Sequence, residues 1–359
     1  MTPGQLRRRR WAVQLLDRAG RRDDPVPLVR GLLAVQAQDF PAARLALRAR
    51  GAGSAGAVHQ ALDAGALRIG WLCRGTLHLV TAEDYPWLFA LSAPRGAVAN
   101  QRRLRQEGVS PAQADQALQL IGDALAAEGP LTRAELGDRL RAADLPTSGQ
   151  ALPHLLYFVA LNHVLALGAI RSGAPAFVRL QPARTPAREV ALAELARRYL
   201  AAHGPATEAD LAAWSGLPLG DVRAGLDNAG AGTDRGFRVA PDAQGAAAAP
   251  TEAGQPSTPP DVRLLPAFDP WLLGWTERDF LIDDSHRRAV YPGGGIIRAT
   301  VTWDRRAAGT WGLRRTAKGL RLTCALFGPG VPQDALRAEA EDVARFEGLP
   351  LDRLDVTTG

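Results

Sequence analysis

The sequence predicts an α+β fold, with helix-turn-helix units of winged-helix type over its first two thirds and a small all-β domain or barrel after them. Three observations predict it. First, "EGPLTRAEL" at 128–136 and "HGPATEADL" at 203–211 form a weak internal repeat: a helix end, a Gly-Pro break, a threonine cap and a second amphipathic helix. Second, each copy is followed by another helical pattern and a glycine-bounded β-prone stretch, "ALPHLLYFVALNHVLALGAIRSGAPAFVRL" and "GLPLGDVRAGLDNAG…RGFRVA". Third, beyond residue 260 the runs "DVRLLPAFDPWLLGW", "RAAGTWGL" and "GLRLTCALFG" alternate β-prone residues with turn residues.

Local chemistry supports each element in order. A helix is expected over 5–18, and a second starts at Asp24-Pro25, a capping residue followed by proline in the first turn. A third lies near 55–65, and "LRIGWLCRGTLHLV" reads as a β-hairpin wing, so the first unit spans 1–110. Thr132 precedes Glu135 by three residues and Thr207 precedes Asp210 likewise; both are capping boxes, placing two further units at 111–182 and 183–242. Residues 243–260, rich in Ala, Pro and Gly, read as a linker or disordered loop, and 261–359 as the β domain with a closing helix at 332–346.

The formal charge of +6 is carried almost wholly by arginine, since Lys318 is the sole lysine. Guanidinium groups suit phosphate, while a GC-rich genome would produce the same bias without function. Cys73 and Cys324 lie far apart and near no metal-ligand cluster, which argues against a disulfide framework or structural zinc and fits a reducing cytoplasm. No apolar run reaches the ~20 residues of a membrane span. The basic N-terminus lacks a long apolar region and reads as part of a folded helix.

Three short stretches could carry chemistry. In the helix that begins at Pro25 and runs into "LLAVQAQDFP", Leu28, Leu32, Val35 and Gln36 fall on one stripe, so Gln36 edges an apolar face where an amide needs partners. Pro41 predicts a change of direction around 37–40, which would bring Gln36 and Gln38 to the same side. A helix-terminal pair satisfying local backbone groups is the plain alternative. In "WLCRGTLHLV", one strand would align Arg74, Thr76 and His78 as the lining of an anionic groove, or as an exposed wing face. In "SHRRAVYPGGGIIRATV", the basic or polar residues His286, Arg287 and Arg288 precede a glycine-rich turn that reads as a hairpin allowing close backbone approach. Asp23 and Asp24 fit helix caps, and Asp283 and Asp284 a turn. The shape admits nucleic-acid binding or a protein scaffold.

Together these segments resemble the bacterial winged-helix DNA glycosylases of the AlkZ and YcaQ type. "GLLAVQAQD", "RGTLHLVTAEDY", "GPATEADLAAWSGLP" and "LLPAFDPWLLGW…HRRAVYPGGGIIR" follow the family order. The resemblance implies three tandem winged helices and a C-terminal β-barrel in a C-shaped body around double-stranded DNA. It implies no metal and no redox cofactor, so no cofactor is expected; oligomeric state is open, with a clamp-like monomer the simpler expectation. Gln36-Ala37-Gln38 matches the Gln-apolar-Gln signature of the AlkZ-like branch, the one associated with self-resistance to crosslinkers. Thr76-Leu77-His78 is similar to a second family motif near the lesion.

The implied activity is hydrolysis of the N-glycosidic bond of cationic N7-alkylated purines, with unhooking of bulky adducts or interstrand crosslinks. Such a base is already a good leaving group, so a placed water and a dipole facing the sugar can suffice. Gln36 and Gln38 would hold water and sugar, Thr76 and His78 would support the site, and Arg287 and Arg288 would contact phosphate. Asp39 is either an additional base or a helix-end cap. The alternative is a winged-helix DNA-binding protein or regulator without chemistry.

Overall fold

The computed structural model describes residues 1–17, 23–241 and 261–359, so the linker expected at 243–260 lies outside the described residues. The chain divides into two compact units, one formed by 1–58 with 192–359 and the other by 59–191. No helix among the described residues is long and apolar enough to cross a membrane.

The second unit begins with the expected hairpin: Leu67–Trp71 pairs antiparallel with Leu77–Thr81. Helices Tyr85–Gln106, Pro111–Glu128, Arg133–Ala142 and Ala151–Leu161 follow, then a second hairpin, Leu165–Arg171 with Ala174–Arg179. The strand Leu67–Trp71 meets Leu165–Arg171 through Ile69 and Leu167, so the two hairpins share one sheet. The predicted capping box of this unit is formed, with Thr132 accepting from the Glu135 amide and Glu135 from the Thr132 amide, and Ser110 with Gln113 forms another that the sequence reading did not name. The core gathers Ile121, Leu136, Leu140, Leu155 and Leu156 from three helices with Leu165 and Phe177 from the hairpin.

In the first unit, Thr207 and Asp210 form the other predicted capping box, at the head of Glu208–Ser215. Helix Leu219–Asn228 and the short hairpin Gly232–Asp234 with Phe237–Val239 complete that stretch. Helix Pro3–Val13 opens the chain and is shorter than expected, ending five residues before 18. Part of its run of arginines is built into the fold. Arg10 is buried, donates to the Pro205 carbonyl at 2.9 Å and lies over the Trp275 and Phe280 rings.

The C-terminal region departs from the expected barrel. Among the described residues its strands form an open five-stranded sheet, in the order Leu351–Thr358, Gly319–Leu326, Arg306–Thr316, Thr300–Trp303, Val262–Leu265. Helix Gln333–Glu347 carries the chain back so that Leu351–Thr358, a strand absent from the sequence reading, pairs parallel to Gly319–Leu326. The helix packs on the sheet through buried Leu336, Ala340 and Val343, and a face covered this way needs no barrel closure. Gly319 is required at the turn: with φ 135°, any Cβ there would sit 2.2 Å from the Pro350 carbonyl oxygen.

Candidate functional site

Gln36 and Gln38 lie on a turn between two helices. Helix Val26–Leu32 ends earlier than the hydrophobic stripe suggested, where Leu33 takes φ 68°. Asp24 accepts from the Val26 amide at 2.9 Å from one position before the N-cap, which is Pro25, so it supports the helix start without being the cap the sequence suggested. Val35 and Gln36 are then extended, and Asp39 caps the next helix, Phe40–Ala49, by accepting from the Ala42 amide at 3.0 Å. The change of direction therefore comes at 33–39, before Pro41, which occupies the first helical turn instead of ending one. The extended backbone brings the two glutamines to one side, with Gln36 Nε2 donating to Gln38 Oε1 at 3.4 Å. Ala37 between them is buried, Gln36 is partly exposed, and Gln38 and Asp39 are exposed. The arrangement offers two amides at the surface over an apolar floor.

What fixes that turn was not seen in the sequence. The helix it enters is buried on nearly every side and carries two arginines inward, Arg44 and Arg48, with a third, Arg50, at its C-cap. Arg50 and Asp269 are both fully buried and joined by two bonds, Nη1–Oδ2 at 2.8 Å and Nη2–Oδ1 at 2.9 Å. Arg48 donates to Glu339 at 3.1 Å, Asp342 at 2.9 Å and the Leu264 carbonyl at 2.7 Å. Arg44 faces Glu347 at 3.4 Å, and burial lowers its pKa while that carboxylate raises it. The available signal was "RLALRAR", arginines at i and i+4 embedded in apolar residues, a spacing that aligns them on one helix face.

The hairpin residues divide. Arg74 is in the turn, at φ 58° and exposed, and Thr76 precedes the strand, its hydroxyl donating to the Cys73 carbonyl at 3.1 Å. His78 alone is on the strand and is buried, so the three do not form one exposed row. Its Nδ1 is 2.9 Å from the Thr76 carbonyl oxygen, a bond in which the ring donates. Burial lowers the His78 pKa to about 4, with the Thr76 bond opposing and Arg74 assisting, so the ring is neutral at pH 7.

His286, Arg287 and Arg288 are helical, within Asp284–Val290, not on the predicted hairpin strand. Asp283 and Asp284 begin that helix, which explains why the pair resembled a turn. The glycines 293–295 follow it in an irregular segment closed by one bridge from Gly293 to Ile296. His286 stacks on Phe327 with ring centroids 4.5 Å apart, and Arg287 is bound to Asp279 and Asp284. Arg288 is exposed.

The family model described as "DNA glycosylase AlkZ-like" matches residues 29–346, which include the glutamine turn. A Streptomyces sahachiroi protein described as an "Interstrand DNA cross-link repair glycosylase" is similar to the chain, 28% identical over 304 residues and 78% of each sequence. The solved structure of "Streptomyces sahachiroi DNA glycosylase AlkZ" matches with a TM-score of 0.79 at 26% identity, covering 100% of both chains, so the α+β fold is shared with it.

Proposed function

We propose that this chain, which belongs to the AlkZ-like DNA glycosylase family, excises cationic N7-alkylated purines from duplex DNA, with Gln36 and Gln38 holding the attacking water and the sugar. The observation that carries the reading is the pair of surface amides joined at 3.4 Å on a turn whose backbone is fixed on both sides. With the Gln36 amide given to Gln38, the Gln36 carbonyl is oriented to accept from a water, and its dipole faces positive charge developing at C1′. The C1′–N9 bond breaks, its electrons neutralise the alkylated base, water oxygen bonds C1′, and a proton passes to solvent. An undamaged purine has no such leaving group, so two neutral amides are too weak to release it; chemistry supplies the selectivity.

We further read 111–182 and 183–242 as winged helices, and Arg74 and Arg288 as phosphate contacts. Asp39 is assigned as the cap of the helix, on the strength of its bond to Ala42. The crosslink-repair description of the Streptomyces relative supports extending the substrate to an interstrand crosslink through N7 of guanine. An open surface turn suits a bulky adduct better than a pocket that must swallow a flipped base.

The test is release of 7-methylguanine, and unhooking of an N7-guanine crosslink, from duplex DNA beside an undamaged duplex. Base release from the damaged duplex alone is expected. Tight, salt-sensitive DNA binding with no release from either substrate would replace this reading with that of a non-catalytic DNA binder.

A further inference from the structure

The second unit holds a cavity of about 470 Å³ that the base-excision reading does not use. Two guanidiniums, Arg68 and Arg179, face it, and no carboxylate is among the described residues that line it. Arg68 is half-buried and gives one N–H to the Leu67 carbonyl at 2.9 Å; Arg179 gives one to the Gly122 carbonyl. A guanidinium has five N–H donors, so each retains capacity for a ligand. Pro86 and Leu180 supply apolar wall, and the His163 ring, held edge-on to Phe89 at 4.4 Å between centroids, supplies an aromatic rim.

Tyr85 gives the cavity its direction. The residue is 3% exposed, lines the cavity, and its hydroxyl has no hydrogen-bond partner among the described residues. Close packing fixes the ring. A Cβ on Gly70 would meet the ring at 2.3 Å, and the ring stacks on Phe89 with centroids 5.6 Å apart. A phenylalanine would fill the same space without burying an orphan polar atom, which costs free energy unless something bonds to it.

We propose that this cavity binds a nucleotide, its phosphate on Arg68, Arg179 and the Tyr85 hydroxyl, its base or sugar against Pro86, Leu180 and His163. A volume of this size exceeds the needs of phosphate alone and lies within the range of small-molecule sites. The nucleotide is either free in solution or one unit of a DNA strand; the phosphate chemistry is common to both. The proposal stands independently of the role given to the glutamine pair.

The full chain is titrated calorimetrically with inorganic phosphate and with deoxyguanosine monophosphate, and its affinity for an undamaged duplex is measured, in parallel with Arg179→Gln and Tyr85→Phe. The nucleotide should bind more tightly than phosphate, and each variant should weaken it by about tenfold, as expected for one lost bond to a charged group. Tyr85→Phe should melt no lower than the unmodified protein, because it removes an unsatisfied hydroxyl. Competition between nucleotide and duplex, with weaker duplex binding in both variants, assigns the site to a DNA strand. Unchanged duplex binding with nucleotide affinity lost assigns it to a free nucleotide. Nucleotide binding equal in all three proteins, or absent while duplex affinity is also unchanged, overturns the proposal. A Tyr85→Phe protein that melts lower overturns it too, since the hydroxyl would then be structural.

Discussion

Two short polar motifs in this chain are held in contrasting ways. The glutamine turn leads into a helix anchored by buried charge, with Arg44, Arg48 and Arg50 each set against a carboxylate. The hairpin bearing Thr76 and His78 is anchored by backbone pairing of Leu67–Trp71 with Leu77–Thr81 and by buried Ile69, Leu79 and Val80. The difference teaches where each region is vulnerable. A buried ion pair is rigid while complete, but losing one partner leaves a charge out of water with nothing to offset it. A paired hairpin with a neutral buried imidazole tolerates side-chain loss better but resists protonation of that ring.

The largest effect expected from this contrast is at Arg50 and Asp269. Asp269→Ala should cost about 3–5 kcal/mol of stability, measured by urea denaturation, because Arg50 is left charged at zero exposure. Arg50→Met with Asp269→Leu should recover much of that loss. A single variant as stable as the parent would refute the charge-anchored picture of the helix.

Acid is the next lever. An unfolded histidine titrates near 6.5, whereas burial lowers His78 to about 4 and His203 to about 3. Between those values each of the two residues binds a proton in the unfolded chain and not in the fold, so their contribution to stability falls as pH drops from about 6.5 towards 3 and is fully present above that window. His78→Gln should remove its share of the slope between 6.5 and 4, which denaturation midpoints across pH would register. An unaltered slope would mean that His78 is protonated in the fold.

Asp39 separates cap from base. Asp39→Ala should cost about 1 kcal/mol through the lost cap, while Asp39→Asn keeps an acceptor for the Ala42 amide and should preserve both stability and base release. Loss of release in Asp39→Asn would make Asp39 the general base. The smallest effect is expected among the surface arginines. Arg288→Gln should lower the salt dependence of DNA affinity by about one unit of log–log slope, and Arg287→Gln by less, since Arg287 is already bound to Asp279 and Asp284.

The same contrast separates what the sequence announced from what it concealed. Local chemistry was legible: Thr132 with Glu135, Thr207 with Asp210 and the 67–81 hairpin are each specified by residues a few positions apart. The meeting of Gln36 and Gln38 was legible for the same reason, although the bend was placed too late because Leu33 carries no turn signature. Partnerships across long separations were not. Nothing near Arg50 announces Asp269, which lies 219 positions away, so the sequence alone does not separate arginines that serve the interior from those that suit phosphate. The open C-terminal sheet was missed likewise, since the parallel pairing of Gly319–Leu326 with Leu351–Thr358 depends on an intervening helix and has no local sign. Around 285–290, a helix of seven residues was too short for its periodicity to outweigh the glycine-rich turn beside it.

The most direct test of the account is single-turnover release of 7-methylguanine from duplex DNA by the unmodified protein, Gln36→Ala and Gln38→Ala, with DNA affinity measured alongside. The account predicts that each substitution slows release by about 10²–10³-fold, the loss typical of removing one preorganised polar group, while DNA affinity is retained. Release at the parental rate in both variants would contradict it, and the chemistry would have to be sought away from the glutamine turn.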